Sequence, residues 1–303
     1  MKRMKYGLTV LTPVYNRSEK IVGLFSSLKR QTNQKFQWLV VDDGSTDGIS
    51  ETIEKLRQEE VGFQINCYRK DNGGKHTAIN YAHPYIDGDL VAIVDSDDEL
   101  TPDAVEIILR DWNKYKHDTT VGGLTYIKEE ITSDEGRKLY PYDGIIGSSF
   151  DICVNRNING GGFEIIRTTL LKKYPFPVYP GEKYVGESYL WNSVGKEYNT
   201  VYFNKVLYKF EFQNDGLTKS GRTMRLKNPR GCMAVENSLL SGKARLGIKL
   251  KTGILFVANG LICGYSFSNI IRKCQSRIVL ATLAPGTLLY LYWKSKYKFR
   301  RDS

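Results

Sequence analysis

Asp95 and Asp97, two residues apart in Asp95-Ser96-Asp97-Asp98, are the side chains of this sequence best suited to chemistry. In extended backbone, residues at i and i+2 share a face, so the two carboxylates point the same way. Like charges held together need a cation between them. Carboxylate and phosphate oxygens suit Mg2+ or Mn2+, which would then bridge to a diphosphate. The bland alternative is an acidic loop that caps the following helix. Thr101, just before Pro102, already suits that cap and leaves the aspartates for an ion.

Three further segments carry reactive groups. In Asp42-Asp43-Gly44-Ser45 a carboxylate can accept a hydrogen bond from a nucleobase or ribose, although Asp and Ser also serve helix N-terminal turns. In Asn72-Gly73-Gly74-Lys75-His76 paired glycines permit close backbone approach to a ligand, and Lys75 can reach a phosphate. The GxxxxGK[ST] spacing is missing, and a turn with a solvated lysine explains the segment nearly as well. Glu187, in Gly186-Glu187-Ser188-Tyr189-Leu190-Trp191, is a candidate general base whose pKa aromatic neighbours would raise. Glu182 is its rival, and for either one a plain surface glutamate is the commoner explanation. His76, His83 and His117 show no ligand spacing and read as surface residues. No GxSxG motif or Cys/His pairing offers a nucleophile. Five scattered cysteines without a CxxC suggest neither a disulfide framework nor a structural zinc site.

These groups need elements to position them. Short β-rich runs occur at 8–14, 36–41, 63–68, 90–94 and 121–127. Between them lie helical patterns: Ser18 as cap for Ile21, Leu24, Phe25 and Leu28; Asp47 for Ile49, Ile53 and Leu56; Thr101 for Val105, Ile108, Leu109 and Trp112. Strand–helix alternation at this spacing means an α/β fold with a mainly parallel sheet flanked by helices. Ligands bind beyond the carboxyl ends of such strands, and that is where the acidic motifs fall. Residues 130–218 lose the regularity and read as a loop-built substrate wall.

Charge divides the chain differently. The net charge is +11 over 303 residues, but from Lys219 onward seventeen Lys and Arg face only Glu236 and Asp302. A mildly acidic body therefore carries a strongly basic tail. The tail's apolar stretches, Gly253–Phe267 and Ile278–Trp293, fall short of the roughly 20 residues that span a bilayer. Set among basic residues, they suit the plane of an anionic membrane surface. Aliphatic residues between the charges fit lipid better than base stacking, so nucleic acid is not expected as a partner. Two helices packed on the body or on a partner subunit are the plainer alternative.

In order and spacing, Val10-Leu11-Thr12-Pro13-Val14-Tyr15-Asn16, Val40-Val41-Asp42-Asp43-Gly44-Ser45-Thr46-Asp47, Asn72-Gly73-Gly74 and Asp95-Ser96-Asp97 together resemble the family 2 glycosyltransferases, over roughly residues 6–125. The Glu187 segment and Tyr208…Asp215-Gly216-Leu217-Thr218 are similar to a bacterial branch that builds capsule and other surface polysaccharides. The resemblance implies a GT-A (Rossmann-like) fold over residues 1–218. Its nucleotide-sugar-binding half would be 1–125 and its acceptor-binding half 126–218, with a basic, amphipathic, membrane-associating helical region at 219–303. It implies inverting transfer from a nucleotide-diphosphate sugar, commonly a UDP-sugar, to a glycan or polyprenyl-diphosphate-linked acceptor at the cytoplasmic face of the cell membrane. Pro13, Val14 and Tyr15 would line the nucleotide pocket and Asp43 would bind the base. Asp95 and Ser96 would lie by the ribose, with Asn72 and Lys75 nearby. Asp97, with Asp95, would hold Mn2+ or Mg2+, and Glu187 would be the base, with Ser188 where the family often has Asp. Arg225, with Arg222, Lys227 and Arg230, would close over the phosphates. A nucleotidyltransferase would need a glycine-and-basic loop that Thr12–Arg17 lacks. A non-catalytic membrane adaptor would have no use for the Asp95/Asp97 pair.

Overall fold

A computed structural model describes residues 4–131, 139–158, 162–211 and 217–297. The segment Asp215-Gly216, part of the looser resemblance, lies outside the described residues. Four parallel strands form the first half of the sheet: β1 (Tyr6–Val14), β2 (Gln37–Asp42), β3 (Gln64–Arg69) and β4 (Gly88–Ile93), in the order β3-β2-β1-β4. Alternate residues of these strands enter two cores. Leu8, Val10, Trp38 and Val40 pack with α1 (Ile21–Lys29), α2 (Ile49–Arg57) and α4 (Ala104–Tyr115) on one side. Leu11, Leu39, Val41 and Val91 pack on the other with α3 (Lys75–Ala82), α5 (Thr168–Lys173) and α6 (Ser188–Val194). Burial on both faces explains why β1, β2 and β4 read as largely apolar runs, while β3, at the sheet's edge, is only half-buried.

Beyond β4 the sheet becomes mixed. β5 is Glu99–Leu100, β6 Val121–Glu130, β7 Ile145–Gly147, β8 Gly162–Arg167 and β9 Asn199–Phe210. β8 inserts between β4 and β6, antiparallel to both. β9 runs parallel to β6 with bulges, and β5 and β7 pair antiparallel with β9. Residues 130–218, expected as loops, thus contribute two central strands and two core helices. Their strands are short or interrupted by bulges, which hides the two-residue period.

The expected helix faces are buried, but the expected caps are not the caps. α1, α2 and α4 begin after Lys20, Gly48 and Asp103, without side-chain capping bonds. Asp47 instead accepts the Ser18 backbone N–H at 2.8 Å, and Asn16 accepts that of Thr46 at 2.8 Å, stitching the β1 and β2 loops together. The Thr101 hydroxyl bonds Asp103 at 2.9 Å.

The basic C-terminal region is helical: α7 (Leu217–Lys227), α8 (Pro229–Leu240), α9 (Leu246–Ile262), α10 (Phe267–Lys273) and α11 (Ile278–Lys296). Met233, Leu240, Phe256, Val257, Ile270 and Val279 form its small core. The first apolar stretch of the tail fills the second half of α9 and the turn that leads into α10, the second lies in α11, and α9 and α11 pack on each other. Among the described residues no helix is long and apolar enough to cross a membrane.

Candidate functional site

The loops leaving β1 to β4 share one edge of the sheet, and Asp43 ties the loop after β2 to the loop after β3. Its buried carboxylate accepts the backbone N–H of Gly73 at 3.0 Å and of Gly74 at 2.7 Å, Asn72 Nδ2 at 3.2 Å and Lys70 Nζ at 2.6 Å. Four donors fill a carboxylate's lone-pair sites. A nucleobase donor must therefore displace one, and Asn72 holds the longest bond. Asp42, fully buried, accepts the Ser45 backbone N–H at 2.8 Å and pairs with Arg69 at 3.1 Å.

Of the glycine pair, Gly74 admits the chain's own backbone and Gly73 the Thr77 and Lys70 side chains. Gly74 has φ +93, and a Cβ there would stand 1.9 Å from the Lys183 carbonyl oxygen. Of the three residues implied to line the pocket, Pro13 and Val14 are buried in the sheet, Val14 within the core. Tyr15, at 49% exposure, is the one side chain of the three that is open to a ligand. His76 is also not at the surface: it is buried beside Phe176, and burial lowers its pKa to about 4.

At the end of β4, Asp95 and Asp97 are both partly exposed and Ser96 is buried. The turn they occupy is pinned from β9 by Tyr208, which sequence reading noted only as part of a motif. Its buried hydroxyl donates to Asp98 Oδ2 at 2.5 Å and accepts the Asp95 backbone N–H at 3.2 Å. Burial pushes the Asp98 carboxyl up to about 7. It pushes Glu164, on β8, up to about 7 as well, against the pull of Lys128. Lys128 Nζ lies 4.3 Å over the Tyr208 ring. Glu164 and Lys128 went unnoticed in the sequence because both lie on strands that place them here only through tertiary pairing.

Lys75 joins the parts. Its ammonium is ion-paired with Asp95 Oδ1 and with Glu187 Oε1. Burial works against the Lys75 charge, yet the two carboxylates outweigh it and raise its pKa. Burial likewise works against the Asp95 charge, and Lys75 and Lys128 more than offset it to lower that pKa. Asp97 makes no hydrogen bond or ion pair among the described residues, and no three His, Cys, Asp or Glu side chains there converge as a metal cage. A free carboxylate beside a half-engaged one fits a Mg2+- or Mn2+-type site that takes one or two protein carboxylates and completes its shell with phosphate oxygens and water.

The wall carrying Glu187 is braced by the C-terminal helices. Glu182, the rival base, is buried at the N-terminus of α8. It accepts the backbone N–H of Arg230 at 3.0 Å and of Gly231 at 2.8 Å, together with Arg230 Nε at 2.9 Å. That bonding leaves Glu187 as the glutamate facing the acidic cluster. It also engages the Arg230 guanidinium in an ion pair with Glu182. The Lys183 backbone N–H donates to Asn228 at 2.7 Å, and a Cβ on Gly231 would lie 2.0 Å from the Tyr184 carbonyl oxygen. Arg225 is exposed and interacts with the Tyr184 hydroxyl.

Comparison with known proteins follows the same lines. The model for Glycosyl transferase family 2 matches residues 9–175, more than half of the chain. Glycosyltransferase GlyA of Streptococcus pneumoniae is 28% identical over 229 residues, 70% of this chain and 31% of that protein. A GalNAc(5)-diNAcBac-PP-undecaprenol beta-1,3-glucosyltransferase of Campylobacter jejuni is 26% identical over 220 residues, 70% of this chain and 67% of that protein. The chain spans less than a third of the length of several curated relatives it matches, such as 17% of an uncharacterized glycosyltransferase of Rickettsia felis. Among solved structures, S. aureus TarS 1–349 in complex with UDP-GlcNAc superposes with a TM-score of 0.69 at 16% identity, covering 96% of this chain and 91% of that one. Mannosyltransferase PcManGT from Pyrobaculum calidifontis, in complex with GDP-Man and Mn2+, superposes at 0.58 with 19% identity, covering 96% and 82%. The expected GT-A fold, a curled mixed sheet flanked by helices with a helical C-terminal region, is the fold found.

Proposed function

Because the chain belongs to glycosyl transferase family 2, we propose that it is an inverting, metal-dependent glycosyltransferase. It moves a sugar from a nucleotide-diphosphate donor, a UDP-sugar, to a glycan or polyprenyl-diphosphate-linked acceptor in the synthesis of a bacterial surface polysaccharide. The observation that carries this reading is the convergence of Asp95, Lys75 and Glu187, with Asp97 in the same turn, at the carboxyl ends of parallel strands.

In this reading Tyr15, Asn72, Asp43 and Ser96 form the nucleotide side, and Asn72 yields its bond to Asp43 when a base arrives. Asp97, with Asp95, would hold the divalent ion. A bound Mg2+ or Mn2+ supplies Lewis-acid stabilisation of charge on the leaving diphosphate. Arg225 adds positive charge. Glu187 takes the proton of the acceptor hydroxyl, and that oxygen attacks the anomeric carbon from the face opposite the diphosphate. The bond from that carbon to the diphosphate oxygen breaks as the new one forms, and nucleoside diphosphate leaves.

The division at 218/219 is proposed as one of task. The first part performs the chemistry, while α8 to α11 brace the Glu187 wall and rest on the cytoplasmic face of the membrane. Support for the contact is the outer face of α11, where Leu280, Leu288, Leu291 and Tyr292 are exposed between Arg277 at one end and Lys294 and Lys296 at the other. The undecaprenol-linked substrate in the name of the C. jejuni relative agrees with an acceptor held at that surface.

Titration calorimetry with UDP, GDP and other nucleoside diphosphates, with and without Mn2+, tests the donor site. UDP binding that requires the ion and disappears in Asp97→Ala is the expected result. Binding that ignores both ion and variant would remove Asp97 from the site, and no binding by any nucleotide would end the catalytic reading.

A further inference from the structure

Lys75 opens α3, immediately after the glycine that brings this loop against the Lys183 carbonyl. Its ammonium bridges two carboxylates from opposite walls of the site, Asp95 at the end of β4 and Glu187 ahead of α6. Donor binding alone gives no reason for a phosphate-seeking lysine to hold the base. A base works on a proton best with no cation paired to it, and here Glu187 Oε1 is held by the Lys75 ammonium. Among the described residues this is the one ion pair that Glu187 makes.

Resting on the donor reading above, we propose that Lys75 is a latch that frees Glu187 only when a donor diphosphate is seated. A lysine ammonium is a compact charge on a flexible stem, so it can turn to a new anion while α3 stays fixed. A diphosphate arriving at the Asp95–Asp97 turn offers Lys75 additional negative oxygens on the Asp95 side of the bridge. Asp95 is not left without a cation, because Lys128 also acts on it. Among the described residues Glu187 makes no second ion pair, so once Lys75 turns away it becomes a free carboxylate facing the acceptor. The device keeps the base paired, and so idle, in the donor-free enzyme.

The test is carbodiimide labelling of Glu187, read by peptide mass spectrometry on the full chain. The probe is UDP with Mn2+, which lacks the sugar that would itself cover the base. In wild type, Glu187 should label slowly without nucleotide and several-fold faster once UDP is bound. In Lys75→Met it should label fast with or without UDP, and in Lys75→Arg slowly without it. Calorimetry on the same samples separates the two ideas. UDP that binds wild type yet leaves Glu187 labelling unchanged or slower overturns the latch alone. UDP that binds under no condition takes down the donor reading and the latch together. If Lys75→Met does not fold, the wild-type pair of measurements decides.

Discussion

Two buried carboxylates build the two walls of the site by the same device. Asp43 collects the backbone N–H groups of Gly73 and Gly74, with Lys70 as its cation. Glu182 collects those of Arg230 and Gly231, with the Arg230 side chain as its cation. In each case the glycine lets a backbone carbonyl of the 182–187 loop approach, Lys183 in one and Tyr184 in the other. The difference is what the carboxylate holds. Asp43 closes a loop inside one βαβ unit, while Glu182 ties the catalytic wall to a helix from the C-terminal region. Donor-side order is thus local to the sheet, whereas order around Glu187 is lent by helices that carry no candidate base or metal ligand of their own.

That contrast predicts different damage from matched substitutions. Asp43→Asn keeps the shape but puts an amide N–H where the carboxylate met N–H donors, and it leaves the mostly buried Lys70 charge with only neutral acceptors, the Asp71 carbonyl and the Thr77 hydroxyl. Breaking such a pair costs about 3 kcal/mol, and UDP affinity should fall with it. Glu182→Gln meets the same donor conflict, yet Arg230 is more exposed and keeps the Pro180 carbonyl. The expected loss is about 1–2 kcal/mol, with UDP affinity kept and the rate of UDP release from the donor reduced. Chemical unfolding, calorimetry and turnover on both variants check this. Equal loss of UDP affinity in both would mean that the two walls are one unit.

The same contrast decides what could be read in advance. The parallel half was legible because Leu8, Val10, Trp38 and Val40 keep strand and helix periods within short, unbroken units. The positions of Asp95 and Asp97 at the end of β4, and of Glu187 across from them, could be anticipated because a strand end and a motif order point there. Glu182 was misread because its partners lie 48 and 49 residues on, and nothing in Gly181-Glu182-Lys183 announces a helix N-terminus elsewhere. Glu164, Lys128 and the pinning role of Tyr208 stayed hidden for a related reason. They meet through the insertion of β8 and the parallel pairing of β9, which bulges and short strands conceal.

The helical region has a carboxyl with the opposite character to Asp43. Glu236 is buried on α8; Asn259 Nδ2 donates to its Oε1 at 2.7 Å, while Oε2 has no partner. Burial pushes its pKa up to about 8 from 4.5. A carboxyl whose folded pKa is raised gives its full stability below the unfolded pKa and loses it as pH rises through the folded one. Stability of this region should therefore decline from near pH 4.5 to near pH 8. Glu236→Gln should flatten that decline, narrowing the fall in Tm between pH 5.5 and pH 8.5 by roughly a few degrees. An identical pH dependence in the variant would show that Glu236 titrates normally in the fold.

The outer face of α11 should matter least to folding and most to location. Leu288 is 68% exposed and Leu291 52%, so neither fills the C-terminal core. Replacing both with Ser should change unfolding free energy by no more than about 0.5 kcal/mol each, as for other surface positions. UDP binding should be untouched, because the site is braced through α8 and not through this face. Sedimentation with anionic phosphatidylglycerol vesicles should nevertheless fall sharply, since the apolar stripe supplies the buried area and the flanking lysines only the attraction. Vesicle binding that survives the double substitution but vanishes in salt would assign the contact to charge alone. A large loss of stability would instead mean that the stripe already has a partner within the chain, and the two halves of the molecule would then differ less than their exposed faces suggest.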